Sequence, residues 1–306
     1  MAKREKVLIT GANGFIGSSL CYRLHEKGYQ VVAGVRRPSG NWRLSEGEFS
    51  TAVIDLASKD SIAKALSSAK PDAVINCAAY GVYRGQEDGK LMLEVNYSGL
   101  ASLAEECALQ GITLVQTGSC FEFGDKPHPI AETEPLQPLG PYAESKAKAS
   151  QYLAGSIGKR ARWNIIRPFT PFGYREDGNR LVPTLLLSSI RGIRPMLSSP
   201  KPRRDFIFIE DLASAYEALL SSGISYESFN IGSGKALSVL EMSELAMQVF
   251  PMKEPEWGKS HASGPMNSEA DISKAGRLLG WKPETGVRRG LELSLGWFSS
   301  HLEFYK

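Results

Sequence analysis

Cysteine is scarce. The 306-residue chain has four (Cys21, Cys77, Cys107 and Cys120), far apart in sequence, with no CxxC pair and no Cys/His cluster. That spacing argues against a disulfide framework and against a zinc site, so no metal is expected, and it suits a reducing cytoplasm. Long apolar runs are also missing. No stretch of about 18 apolar residues occurs, and Val7-Leu8-Ile9-Thr10 near the N-terminus is too short for a signal peptide. A soluble, cytoplasmic protein with no membrane partner is expected. Nor does one sign of charge dominate: 36 Lys and Arg stand against 33 Asp and Glu, a net charge of +3, which gives no reason to invoke nucleic acid. Hydrophobic residues make up 42% and charged residues 23%, as in ordinary globular proteins, so wholesale disorder is excluded.

Short β-branched runs alternate with helical patterns through the first half. Strands are expected at 7–10, 30–35, 51–54, 74–77, 112–116 and 163–166, with helices at 15–27, 61–69, 91–109 and 142–153. Such alternation predicts an α/β fold, a doubly wound parallel sheet covered on both faces. Residues 126–141 hold five prolines and must form a loop. Residues 169–204, with one helix at 182–191, leave the pattern. A strand at 206–209 and a helix at 211–220 are expected to return to the sheet, and further helices to lie at 239–249, 271–279 and 288–299. This predicts a nucleotide domain of residues 1–168 plus about 205–231, and a smaller α/β C-terminal substrate domain of about 169–204 and 232–306.

Between the first strand and the first helix lies Thr10-Gly11-Ala12-Asn13-Gly14-Phe15-Ile16-Gly17. Gly11 permits a tight turn, Gly14 lets backbone approach a pyrophosphate, and Gly17 allows close helix–strand packing. The helix N-terminus then aims its N–H groups at the phosphates. In this setting the glycine spacing is the fingerprint of a Rossmann-type dinucleotide fold. Where the second strand ends, an Asp or Glu would bind the ribose 2′-hydroxyl of NAD(H). Here the chain reads Val35-Arg36-Arg37, and two guanidinium groups suit a 2′-phosphate, so NADP(H) is expected over NAD(H).

Tyr142-Ala143-Glu144-Ser145-Lys146 places a phenol and an amine one helical turn apart. A nearby ammonium is expected to lower the phenol's pKa from roughly 10, so that it can exchange a proton with a substrate oxygen while hydride moves at the adjacent carbon. Ser119, just past the fifth strand, falls at the carboxyl end of the sheet, where such folds place ligands.

Together these residues resemble the extended short-chain dehydrogenase/reductase family, in particular its NAD-dependent epimerase/dehydratase group acting on nucleotide sugars. The likeness spans nearly the whole chain. It takes in the glycine turn, Asp55-Leu56, Asn76-Cys77-Ala78-Ala79, Asn96, Gly118 to Gly124, the Tyr142/Lys146 pair, Arg167-Pro168-Phe169, Arg204 to Ile207 with Asp211, Phe229 to Gly234, and Leu279 to Pro283. The resemblance implies a Ser119, Tyr142 and Lys146 triad, with Lys146 also on the nicotinamide ribose. It implies Asp55 and Leu56 beside adenine, and Cys77, Ala78, Ala79, Asn96 and Pro168 around the cofactor. It places Tyr80, Cys120, Phe169 and Thr170 on the substrate side, Arg204 on the diphosphate, and the Asn179 to Leu181 backbone near the base. It further implies a homodimer in which helices 91–109 and 142–153 pair into a four-helix bundle.

Two departures narrow the activity. Dehydratases of the group carry an Asp-Glu pair after the catalytic hydroxyl, and Cys120-Phe121 cannot supply it. The group's 3,5-epimerases carry a Cys two residues after the serine, whereas Cys120 follows by one. What remains is hydride transfer at one sugar carbon. With the paired arginines this points to an NADP(H)-dependent reductase of a nucleotide-linked 4-keto-(6-deoxy)hexose. The alternatives are a cofactor-retaining nucleotide-sugar 4-epimerase, or an idle dinucleotide-binding protein on the same fold.

Overall fold

A computed structural model describes residues 5–38, 40, 42–83, 85–258 and 264–305. Its strands, in chain order, are β1 (Lys6–Thr10), β2 (Gln30–Val35), β3 (Ser50–Val53), β4 (Ala73–Asn76), β5 (Thr113–Thr117), β6 (Trp163–Pro168), β7 (Thr170–Phe172), β8 (Met196–Leu197), β9 (Arg203–Phe208), β10 (Glu227–Ile231), β11 (Ala236–Ser238) and β12 (Glu256–Trp257). The α-helices are α1 (Phe15–Glu26), α2 (Lys59–Ala69), α3 (Gly89–Leu93), α4 (Gly99–Gln110), α5 (Pro141–Tyr152), α6 (Leu181–Arg191), α7 (Ile209–Ser222), α8 (Val239–Val249), α9 (Ser273–Leu279) and α10 (Val287–Ser300).

Seven strands pair in the order β10-β6-β5-β4-β1-β2-β3, every pair parallel. Strand side chains alternate between faces, so Val7 and Ile9 enter one core and Leu8 the other. The first core is closed by Leu20 and Leu24 of α1 and by Leu212, Tyr216 and Leu219 of α7. The second is closed by Ile62 and Leu66 of α2 and by Leu100 and Leu103 of α4. Strand order reverses between β1 and β4, the crevice where open α/β sheets bind ligands at the carboxyl ends of their strands.

The strand expected at 206–209 does not return to this sheet. It is β9, the middle strand of a separate three-stranded sheet between β11 and β7. Phe206 and Phe208 pack edge-on against Phe172 there, with ring centroids 6.5 and 5.8 Å apart. The strand that does return is β10, which follows α7 and extends the large sheet beyond β6.

Asp205 pins β9 in place. Fully buried, its carboxylate accepts the Ser233 N–H (2.6 Å) and hydroxyl (2.7 Å) and the N–H groups of Gly234 and Ala270 (3.0 Å each). Asp205→Ala strands three backbone donors, so a loss of about 3 to 5 kcal/mol is expected. A urea midpoint equal to that of wild type would refute this.

The single helix expected at 91–109 is interrupted. α3 and α4 are joined by a π-turn, Glu94–Ser98, which carries the buried Asn96. Gly99 then starts α4 against Leu56: a Cβ at residue 99 would lie 2.7 Å from the Leu56 carbonyl oxygen. A wider turn at a polar, buried residue is the usual setting of a π-bulge.

Candidate active site

The glycine turn closes flush on its surroundings. Gly11 has φ +62°, and a Cβ there would lie 2.7 Å from the Ala78 backbone. The Gly14 N–H donates to the Gly11 carbonyl at 2.9 Å. Gly14 is also the extended N-cap of α1, with no side chain folded over the helix end. A Cβ on Gly17 would sit 2.3 Å from the Gly11 oxygen. Asn13 is exposed on the rim, while Phe15 and Ile16 pack into the first core. The first N–H groups of α1 thus stay open for an anion, and the turn fits the diphosphate of a dinucleotide.

Other expected cofactor residues surround this turn. Arg36 and Arg37 lie exposed directly after β2, with no carboxylate among residues 30–38. The Asp55 carboxylate accepts the Ala57 N–H at 3.0 Å, so it is turned onto its own loop, and Leu56 is buried. Cys77 and Ala78 directly follow β4 with their backbone against Gly11, and Ala79 comes next. The Cys77 thiol lies 3.4 Å from the Thr117 hydroxyl, and burial pushes it up to about 11. Pro168 ends β6 in the buried floor.

Asn96 was expected to touch the cofactor. It is 2% exposed, and its carboxamide accepts the Tyr80 N–H and donates to the Tyr80 carbonyl, both at 2.8 Å. It also donates to Ser145 at 2.9 Å. Its part is to hold the half-buried Tyr80 segment against α5.

The structure brings Ser119, Tyr142 and Lys146 together at the carboxyl end of β5. Gly140, at φ +88°, and Pro141 start α5 so that Tyr142 occupies its first turn and Lys146 the next. The phenol shares a side-chain hydrogen bond with Ser119. Lys146, 2% exposed, donates its Nζ to the Thr117 carbonyl. The expected lowering of the phenol is absent. Burial raises Tyr142 to about 12, with the Ser119 bond and Arg180 opposing only in part. Burial also pulls Lys146 down, against the Glu122 charge. Desolvation disfavours whichever form is charged, and here it sets the direction of both shifts.

Cys120, expected on the substrate side, is 1% exposed and its thiol faces the Phe169 carbonyl at 3.6 Å. Burial pushes it up to about 11, as for a thiol packed among apolar side chains. Phe169 is buried, its N–H on the Ile231 carbonyl at 2.9 Å, and Thr170 is half-buried in β7.

The Arg204 guanidinium stands 6.0 Å from the Phe121 ring centroid, and that ring meets Tyr142 edge-on at 6.5 Å. Asn179 is exposed, its N–H on Asp177 at 3.0 Å, just before Leu181 opens α6. Between them Arg180, ion-paired with Glu176 at 3.7 Å, acts electrostatically on both Tyr142 and Arg204.

Sequence reasoning also missed Glu122. It and Ser119 form a capping box around the turn Cys120–Phe123, a Ser-x-x-Glu spacing that was there to be read. Among the described residues, no group of His, Cys, Asp and Glu is placed to hold a metal, and no helix is long and apolar enough to cross a membrane.

Comparison with known proteins agrees with this fold. The UDP-glucose 4-epimerase of Mycolicibacterium smegmatis is 28% identical over 311 residues, covering 96% of this chain and 98% of the relative. The putative UDP-glucose 4-epimerase of Methanocaldococcus jannaschii is 25% identical, with 96% and 99% covered. The crystal structure of Thermus thermophilus UDP-glucose 4-epimerase in complex with NAD superposes with a TM-score of 0.86 at 25% identity, covering 97% of this chain and 99% of that one. The model of the NAD dependent epimerase/dehydratase family matches residues 7–232, and the chain belongs to that family.

Proposed function

We propose that this chain is a nucleotide-sugar 4-epimerase that retains its dinucleotide. The observation that carries this reading is the convergence of Ser119, Tyr142 and Lys146 beside an open glycine turn. The near full-length likeness to UDP-glucose 4-epimerases supports it over the reductase first expected. When bound, the dinucleotide supplies a reversible hydride acceptor at its nicotinamide ring. Gly11, Gly14 and Gly17 cradle its diphosphate, and Lys146 holds the adjacent ribose. Tyr142 passes a proton to and from the sugar oxygen, and the Ser119 hydroxyl hydrogen-bonds that same oxygen. Arg204 and Arg180 grip the sugar's diphosphate, with the Asn179 to Leu181 backbone near its base. That grip lets the oxidised sugar turn over without leaving. Residues 1–168 with about 209–231 carry the dinucleotide and the rest of the chain, β9 included, the substrate. Two copies pair through α4 and α5, where Leu109 is 81% exposed.

One observation favours a second reading, an NADPH-consuming reductase of a nucleotide 4-keto-sugar. It is the Arg36-Arg37 pair at the end of β2, with no acid for a ribose hydroxyl. The two readings part in one assay. With ordinary nucleotide sugars and catalytic dinucleotide, an epimerase interconverts sugars with no net cofactor loss. With 4-keto-sugars, a reductase consumes NADPH one for one. Failure of both reactions across nucleotide sugars would overturn this function.

Arginine–phosphate contacts are each worth about 1.5 to 3 kcal/mol. Replacing both Arg36 and Arg37 by Ala should therefore weaken NADPH by roughly 100- to 10,000-fold and leave NADH nearly unchanged. Equal weakening of the two in titration calorimetry would discard the 2′-phosphate role.

A further inference from the structure

Three donors from three elements converge on one carboxylate below the proposed triad. Glu122, fully buried, accepts the Ser119 backbone N–H on Oε1 at 2.8 Å. On Oε2 it accepts the Ser150 hydroxyl of α5 at 2.7 Å and the Arg167 Nε–H of β6 at 2.8 Å. Nothing else fits in that space: a Cβ at Gly118 would lie 2.6 Å from Oε1. Arg167 in turn lies over the Phe123 ring, its guanidinium carbon 5.0 Å from the centroid. The end of β5, the helix bearing Tyr142 and Lys146, and β6 are therefore tied to a single acceptor. We propose that Glu122 is a positioning residue of the transfer reaction, fixing the Ser119 hydroxyl against the Tyr142 phenol by holding the Ser119 backbone.

This inference rests on the proposed function for its kinetic arm only. The chemistry singles out a carboxylate. It is an acceptor on both oxygens, whereas a glutamine has one acceptor oxygen and presents N–H donors where the other stood. An amide can serve Ser119 or Arg167, but not both. A capping box alone engages that N–H for structural reasons; what marks a positioning role is a loss of kcat that depends on the Ser119 hydroxyl. Here that N–H and the Ser119 side chain are both engaged in the same turn, since the Ser119 Oγ also accepts the Phe121 N–H at 3.2 Å.

The test is a double-mutant cycle. Glu122→Gln should lower kcat by roughly 10- to 100-fold, the size seen when groups that orient a reacting residue are removed, and leave KM within about twofold. In a Ser119→Ala background the same change should cost less than about threefold, since the residue it acts through is gone. If Glu122→Gln does not fold because Arg167 is left facing an amide, Glu122→Gln with Arg167→Met removes both charges of the pair, a change that buried pairs tolerate. A second readout needs no turnover. Amide hydrogen exchange over residues 118–124 should quicken by about tenfold in either variant while the thermal midpoint of the folded protein holds. Equal losses of kcat with and without the Ser119 hydroxyl, or unchanged exchange in that segment, would overturn the proposal. A wild-type protein inactive on all nucleotide sugars would instead overturn the proposed function, and the exchange result would still decide whether Glu122 holds the turn.

Discussion

Tyr142→Phe should leave dinucleotide binding within about twofold of wild type and lower turnover by roughly 100- to 10,000-fold, the span that a positioned proton-transfer group supplies. The change removes one oxygen and no packing, since the phenyl ring can keep its edge-on contact with Phe121. What is lost is the proton carrier at the reacting oxygen. The pH dependence follows from the direction of the shift. Burial raises the phenol to about 12, so in the protein alone it stays protonated through neutral pH. Steps in which Tyr142 accepts a proton should therefore speed up as pH rises towards that value, and steps in which it donates should stay flat. A positive charge brought close by bound oxidised dinucleotide opposes the burial effect and should lower the midpoint. Ultraviolet difference titration of wild type against Tyr142→Phe, with and without the dinucleotide, reads this directly. Undiminished turnover in the Phe variant would remove Tyr142 from the reaction.

The parts of this site that could be read in the sequence are those fixed by backbone sterics and by period. Gly11, Gly14 and Gly17 announce themselves because only glycine fits where the turn meets Ala78 and itself. β4 and β6 announce themselves because a strand buried on both faces carries consecutive apolar residues, here Ala73-Val74-Ile75 and Ile165-Ile166. The Tyr142/Lys146 pair is visible because helical spacing is local. The parts that stayed hidden depend on what lies around a residue in space. β9 reads like any short apolar strand at Phe206-Ile207-Phe208, and its sheet is chosen by Phe172 and by the Asp205 contacts with Ser233, Gly234 and Ala270, which are distant in sequence. Charge placement is the clearest case. Spacing gives the Lys146 ammonium near Tyr142, but the sign of the phenol's shift is set by how much water the fold removes from both. The Asn96 amide's partners, Tyr80 and Ser145, likewise lie far from it in sequence and could not be read from spacing.

Gly17→Ala tests the cradle with the smallest possible change. By helix propensity alone, alanine inside α1 should stabilise the protein by about 0.8 to 1 kcal/mol. Steric contact predicts the opposite. The added Cβ would lie 2.3 Å from the Gly11 carbonyl oxygen and 3.0 Å from the Ala12 Cα, both backbone atoms that no rotamer change can move. Relief requires α1 to withdraw from the turn. Gly11 cannot yield in turn, because it already abuts the Ala78 backbone. The expected cost is about 3 kcal/mol or more, in the range of overpacked cores and strained backbone. Because the open N–H groups at the start of α1 move with the helix, dinucleotide affinity should fall by at least about tenfold. The matched control is Gly296→Ala in α10, where a Cβ meets nothing within 4 Å and only the propensity gain of about 0.5 to 1 kcal/mol remains. The same methyl group should therefore lower the urea midpoint at one helical glycine and raise it at the other. Were Gly17→Ala to unfold at the wild-type midpoint and bind the dinucleotide as tightly, the turn would not be the close-fitting phosphate cradle on which the proposed chemistry stands.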